Sequence, residues 1–178
     1  MGSREILLLD FLATHGWKHC RRSPVKGDAS FRRYERLYLE NGNTAILMDA
    51  PPTHEEVRPF ITIAAFLREQ GLSAPVIYAE DIPQGFLLLE DFGDDGYTQI
   101  LSGRSRLSVL VGEETLYRHA VDVLSALHQV AVPAHIPPYD TARLLKEVTA
   151  MTEWYLPVII TDPQQCEEAS ARYAALWH

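Results

Sequence analysis

Gly27-Asp28-Ala29-Ser30-Phe31-Arg32-Arg33-Tyr34-Glu35-Arg36-Leu37 opens as a polar turn and runs into strand-like alternation. Phe31, Arg33, Glu35, Leu37 and Leu39 fall on one face; Arg32, Tyr34, Arg36 and Tyr38 fall on the other. Asn41-Gly42 follows as a type I′ hairpin signal, because that turn needs positive φ at both central positions. Thr44-Ala45-Ile46-Leu47-Met48-Asp49 is then expected to pair back antiparallel, and Pro51-Pro52 ends it, since proline cannot donate to a β ladder. A turn bearing one glycine and several donors above such a hairpin meets what covering a nucleotide needs, and on spacing alone it reads equally as an ordinary hairpin loop with exposed arginines.

Outward from this hairpin the pattern alternates between helix and strand. Ser3 caps a helix that runs to about His15 and stops at Gly16, and residues 17–25 read as extended. Thr53, with Glu56 three residues on, reads as a capping box for a helix closed by Gly71. Residues 76–79 and 86–90 are short apolar strands around an Ile-Pro-Gln-Gly turn. The order of helix, three strands, helix, two strands implies an α+β unit, a curled antiparallel sheet with a helix laid across it. Beyond Asp91-Phe92-Gly93 only helices are expected: residues 113–130 with a Leu116, Ala120, Val123, Leu124, Leu127 stripe, then 141–155, then one from Asp162-Pro163 into the C-terminus. A chain ending inside an amphipathic helix, with no glycine or basic cap, reads as cut.

Composition narrows the classes. At 178 residues, with 47% hydrophobic and 22% charged residues, the chain can bury a substantial core. A net charge of −8 excludes a broad nucleic-acid surface but leaves room for a small anion held by a local basic patch. Cys20 and Cys166 have no metal or disulfide spacing and read as idle thiols in a reducing cytoplasm. Ile6-Leu7-Leu8-Leu9 is too short and too closely flanked by Glu5 and Asp10 to be a signal or membrane segment, so no membrane partner is expected.

The Gly27–Arg33 motif, the Leu47-Met48-Asp49-Ala50-Pro51-Pro52 strand end, Arg58-Pro59-Phe60, Pro137-Pro138-Tyr139-Asp140 and Glu153-Trp154-Tyr155-Leu156 together resemble the aminoglycoside phosphotransferase-like kinases. Within them the likeness is greatest to the bacterial cell-wall sugar kinases that act on N-acetylmuramate and N-acetylglucosamine. It covers most of residues 1–156 and implies the amino-terminal half of a protein-kinase-like fold. Residues 1–90 would form the small lobe, 91–95 the hinge, and 96–178 the start of a helical large lobe. The implied cofactors are ATP and Mg²⁺, and the implied partners a nucleotide and a small sugar. Self-association through the incomplete helical lobe would follow from its exposed apolar surface.

The resemblance also implies the site. Gly27, Asp28, Ala29, Ser30, Phe31, Arg32 and Arg33 would cover the phosphates, Met48 would lie under the nucleotide, and Glu90, Asp91 and Phe92 would hold adenine. Most relatives carry a strand Lys or Arg where Met48 stands, paired with a helix glutamate. Phosphate charge would then be met by Lys26, Arg32 or Arg33. Glu55 or Glu56 could face that region, although both read more simply as solvated surface carboxylates. Asp91-Phe92-Gly93 is not preceded by a kinase catalytic loop, so a magnesium role for it is not expected. None of the seven histidines is followed two residues later by Asp, so no catalytic or metal-binding residues are assigned and little activity is expected of this chain alone. A nucleotide-binding pseudokinase or a plain interaction module is the alternative.

Overall fold

A computed structural model describes residues 2–25 and 30–177. Its contacts divide into two compact units, Met1–Val130 and Ala131–His178. The first is built on a sheet of five strands: β1 (Arg21–Val25), β2 (Arg33–Tyr38), β3 (Thr44–Asp49), β4 (Ile77–Asp81) and β5 (Phe86–Leu89). Their order is β1-β2-β3-β5-β4 and every neighbouring pair is antiparallel, so the α+β class and the hairpin order expected from the alternation both hold.

The β2–β3 turn differs in type from the one Asn41-Gly42 suggests. Gly42 N–H donates to Leu39 O and Leu39 N–H donates to Asn43 O, and only Gly42 has positive φ. That is a three-residue loop, a type I turn closed by a left-handed glycine, rather than a type I′ turn. The β4–β5 turn depends on glycine more strictly. A Cβ on Gly85 would lie 1.9 Å from Ala50 O, and Gly85 also has φ +71°. The sheet edge therefore closes only because residue 85 has no side chain.

Helix α1 (Ser3–Thr14) covers one face of the sheet; Gly2 is its cap position, so Ser3 begins the helix rather than capping it. Leu8, Phe11 and Leu12 bury themselves against Leu37, Ala45, Leu47, Phe86 and Leu88. Helix α2 (Arg58–Glu69) lies on the opposite face, where Val57, Met48, Ala50, Leu87 and Leu89 form a second cluster with Phe60 and Ile61 packed against it. The α2 helix begins four residues later than the Thr53 cap predicts, with Val57 in the cap position. Pro59 explains the shift: it has no N–H, so it is accommodated in the first turn, whereas a helix from Thr53 would place it inside. Glu56 instead accepts from Arg58 N–H at 3.1 Å. The first unit continues through α3 (Tyr97–Leu101), a 3₁₀ turn (Arg106–Val109) and α4 (Glu113–His128), with the Tyr97 hydroxyl donating to Leu116 O at 3.0 Å.

The second unit contains α5 (Thr141–Ala150), a π-helical turn (Met151–Tyr155), α6 (Leu156–Ile159) and α7 (Pro163–Ala175). Asp140 and Asp162 cap α5 and α7 through their side chains. No described helix is long and apolar enough to cross a membrane.

Candidate nucleotide site

Strand alternation decides which side chains reach the α2 face of the sheet. The β1–β2 register pairs Ser23 with Arg36 and Val25 with Tyr34, and the β2–β3 register pairs Arg36 with Ile46 and Tyr34 with Met48. Under α2 this face is apolar and closed. Toward β1 it is polar and open, and there a cleft of about 420 Å³ lies between the β1–β2 ribbon (Ser23, Pro24, Val25, Arg36) and the segment after β5 (Gly93, Asp94). The volume is within the usual range for small-molecule sites.

Arg36 organises this cleft, and it was not among the residues singled out from the sequence. Its Nε lies 2.8 Å from Asp91 Oδ2, and its Nη1 donates to both carboxylate oxygens of Asp94 at 2.8 Å. The buried Nε–H is not aimed at Asp91, so that contact is an ion pair rather than a hydrogen bond. The Asp94 bond, working against the cost of burial and helped by Asp91, holds the Arg36 guanidinium above its ordinary pKa. In return Arg36 holds the Asp94 carboxyl below its ordinary value. Asp91 is nearly sealed, with a side chain 5% exposed, and its other oxygen accepts from Gly93 N–H at 2.9 Å. The loop after β5 is thus strapped to β2 through one arginine.

Gly27, Asp28 and Ala29, and with them Lys26, lie outside the described residues. Where the ribbon resumes, Ser30 Oγ accepts from Arg32 N–H at 3.3 Å. Phe31 is exposed and stacks on His54 at 4.5 Å between ring centroids. Phe31 N–H donates to Glu55 Oε1 at 3.2 Å, and Arg32 Nε donates to Glu55 Oε2 at 3.0 Å. Burial opposes the charge on Arg32, but Glu55 and Tyr34 outweigh it and raise the guanidinium's pKa. Arg33 opens β2 opposite Asp49, on the face of Glu35 and Leu37, so alternation turns it away from Tyr34 and Arg36. The reading of Glu55 and Glu56 as solvated carboxylates divides here. The Glu56 side chain is 55% exposed, whereas that of Glu55 is 14% exposed and fully engaged.

Met48 is fully buried in the α2-side cluster, so it supplies apolar floor and no charge. The Glu90 carboxylate accepts from Val76 N–H at 3.0 Å and lies 3.8 Å from Arg68 Nη1, which spends it on joining β4 to β5. The peptide groups of Asp91 and Phe92 come after the end of β5, outside the ladder, and the Phe92 ring is exposed. A buried strand that breaks into such a loop offers an adenine edge one donor and one acceptor.

Residues 21–178 match the phosphotransferase enzyme family. The chain belongs to that family. It is 38% identical over 133 residues to an N-acetylmuramate/N-acetylglucosamine kinase of Pseudomonas aeruginosa, covering 75% of this chain and 37% of the relative. The corresponding kinase of Pseudomonas putida is 37% identical over 145 residues, covering 79% of this chain and 40% of that one. That of Caulobacter vibrioides is 32% identical over 157 residues, covering 73% and 41%. The chain therefore spans about two fifths of the length of the curated relatives it matches.

Kinase families use a nucleotide and usually a divalent metal, and the two fit this phosphotransferase chain differently. The cleft has the volume and the donors for part of a nucleotide. It does not fit the metal: Asp91 and Asp94 are both taken by Arg36, and among the described residues no three His, Cys, Asp or Glu side chains converge.

Proposed function

We propose that this chain is the nucleotide-holding part of an ATP-dependent sugar kinase. The complete reaction would transfer the γ-phosphoryl group to the anomeric hydroxyl of N-acetylmuramate or N-acetylglucosamine, as a cytoplasmic step in cell-wall recycling. One observation carries this reading. The strands that flank the turn resembling a phosphate cover (Ser23, Pro24, Val25 and Arg36) line one cleft with Gly93 and Asp94 of the segment after β5, and Arg36 pairs with Asp91 and Asp94 of that segment.

In this reading residues 1–90 are the small lobe, 91–95 the hinge and 96–178 the start of the large lobe. Gly27, Asp28, Ala29, Ser30, Phe31 and Arg32 cover the phosphates with backbone N–H groups and one cation, and Arg33 holds the ribbon's outer face. Met48 keeps the nucleotide's floor apolar. Asp91 and Phe92 offer peptide groups to adenine, while Glu90 fixes where the strand ends. The metal-binding carboxylates and the general base are not assigned to these residues, so the chain alone binds nucleotide and turns over little sugar.

The pairing of Arg36 in the cleft and of Arg32 on the ribbon with carboxylates also favours a second reading, a nucleotide-binding module without catalysis. Thermal-shift titration with Mg-ATP tests the shared claim. Binding to the native state alone stabilises it by RT ln(1 + [L]/Kd), about 2.7 kcal/mol at a hundredfold excess over Kd. No shift at millimolar nucleotide refutes both readings and leaves an interaction domain. Robust sugar phosphorylation by the 178 residues refutes the claim of low turnover.

A further inference from the structure

Glu55 is held in place before any ligand arrives. Pro51 O accepts from both His54 N–H and Glu55 N–H at 2.9 Å, and the neighbouring Val57 is buried in the core. The fixed φ of Pro51 and Pro52 stiffens the same turn. From this platform Glu55 makes its two bonds to successive residues of the ribbon, to the Phe31 peptide with one oxygen and to Arg32 Nε with the other. His54 adds its stack on the Phe31 ring. Tyr34 also acts on the Arg32 guanidinium; beside it Pro59, Phe60 and Ile63 form an apolar pocket, and α2 carries no acidic residue between Arg58 and Arg68.

The use of Nε matters. A guanidinium gripped by its inner nitrogen keeps its two terminal amino groups on the far side, as a planar fork suited to phosphate oxygens. The same grip fixes the rotamer of a long side chain, so less freedom is lost when an anion binds. We propose that Glu55 is a positioning residue that aims Arg32 at the phosphate groups of the bound nucleotide, compensating for the absence of a strand cation at Met48. This inference rests on the nucleotide-site reading above.

The test is calorimetric titration of ATP and adenosine into the wild-type chain, Glu55→Ala, Glu55→Gln, Arg32→Ala and the Arg32→Ala/Glu55→Ala double variant, with folding checked by circular dichroism. Glu55→Ala is expected to weaken ATP about tenfold, the effect of one misplaced charge-assisted bond, and to leave adenosine within about twofold. Glu55→Gln keeps an acceptor for Arg32 Nε and recovers most of the ATP affinity. On the Arg32→Ala background, loss of Glu55 adds nothing. Equal weakening of ATP and adenosine, unchanged or tighter ATP binding, or a Glu55 effect that persists without Arg32 would each overturn the inference. A wild-type chain that binds neither ligand overturns the nucleotide-site reading itself, and this inference with it.

Discussion

The two faces of the five-stranded sheet are built from the same alternating strands and end in opposite states. On the α1 face apolar residues meet apolar residues, Phe11 and Phe86 have ring centroids 5.7 Å apart, and Arg4 lies over the Phe86 ring while its head pairs with Asp49. Further charge on that face lies toward the edge, where Arg22 joins Glu5 and Glu35. On the other face α2 covers only the β3–β5 side, and the β1–β2 side keeps Ser23, Arg36 and a cleft. One face is therefore devoted to stability. The other divides its length between stability and a site, with Arg36 at the division.

This contrast separates the expected effects of substitution. Leu12 is 1% exposed on the α1 face, so Leu12→Ala should lower stability by about 3 kcal/mol in urea titration. The nucleotide affinity of the folded fraction should not change; a parallel loss would break the comparison. Arg36→Met leaves the Asp91 carboxylate sealed without its counter-charge and should cost about 2–3 kcal/mol, discounted because Asp94 is exposed. Here nucleotide binding should weaken as well, and unchanged binding would mean that the strap is structural only. Arg22→Met, on the α1 face, should cost about 1 kcal/mol with no effect on nucleotide.

A pH series sharpens the same point. Asp94 is held below its ordinary value of 3.8 by Arg36, so its pairing contributes fully above that pH and is lost as pH falls through the depressed value. The stability gap between wild type and Arg36→Met should therefore hold at neutral pH and narrow below about pH 4. A gap that widens on acidification would contradict the assignment.

Much of this contrast was legible in the sequence, for a physical reason. The period of two in residues 31–40 fixes which side chains share a face, and the structure keeps Tyr34, Arg36 and Tyr38 together as read. The position of α7 was legible too, because Asp162-Pro163 is a strong local start signal. Local signals failed where two of them competed. Thr53 and Glu56 make a plausible capping box, but Pro59 allows only the later helix start. Arg36 escaped, and Glu55 was read more simply as a solvated carboxylate, for a different reason: their importance lies in partners 55 and 24 positions away along the chain, Asp91 and Phe31. No window of sequence contains such pairs. The α4 stripe was read only in part, since Leu116 is buried while Leu124 is 61% exposed.

Hydrogen–deuterium exchange with and without Mg-ATP tests the central claim most directly. The account predicts new protection in residues 21–38 and 90–96, with α1 unchanged. Protection that avoids both segments, or that falls on the α1 face, would contradict it.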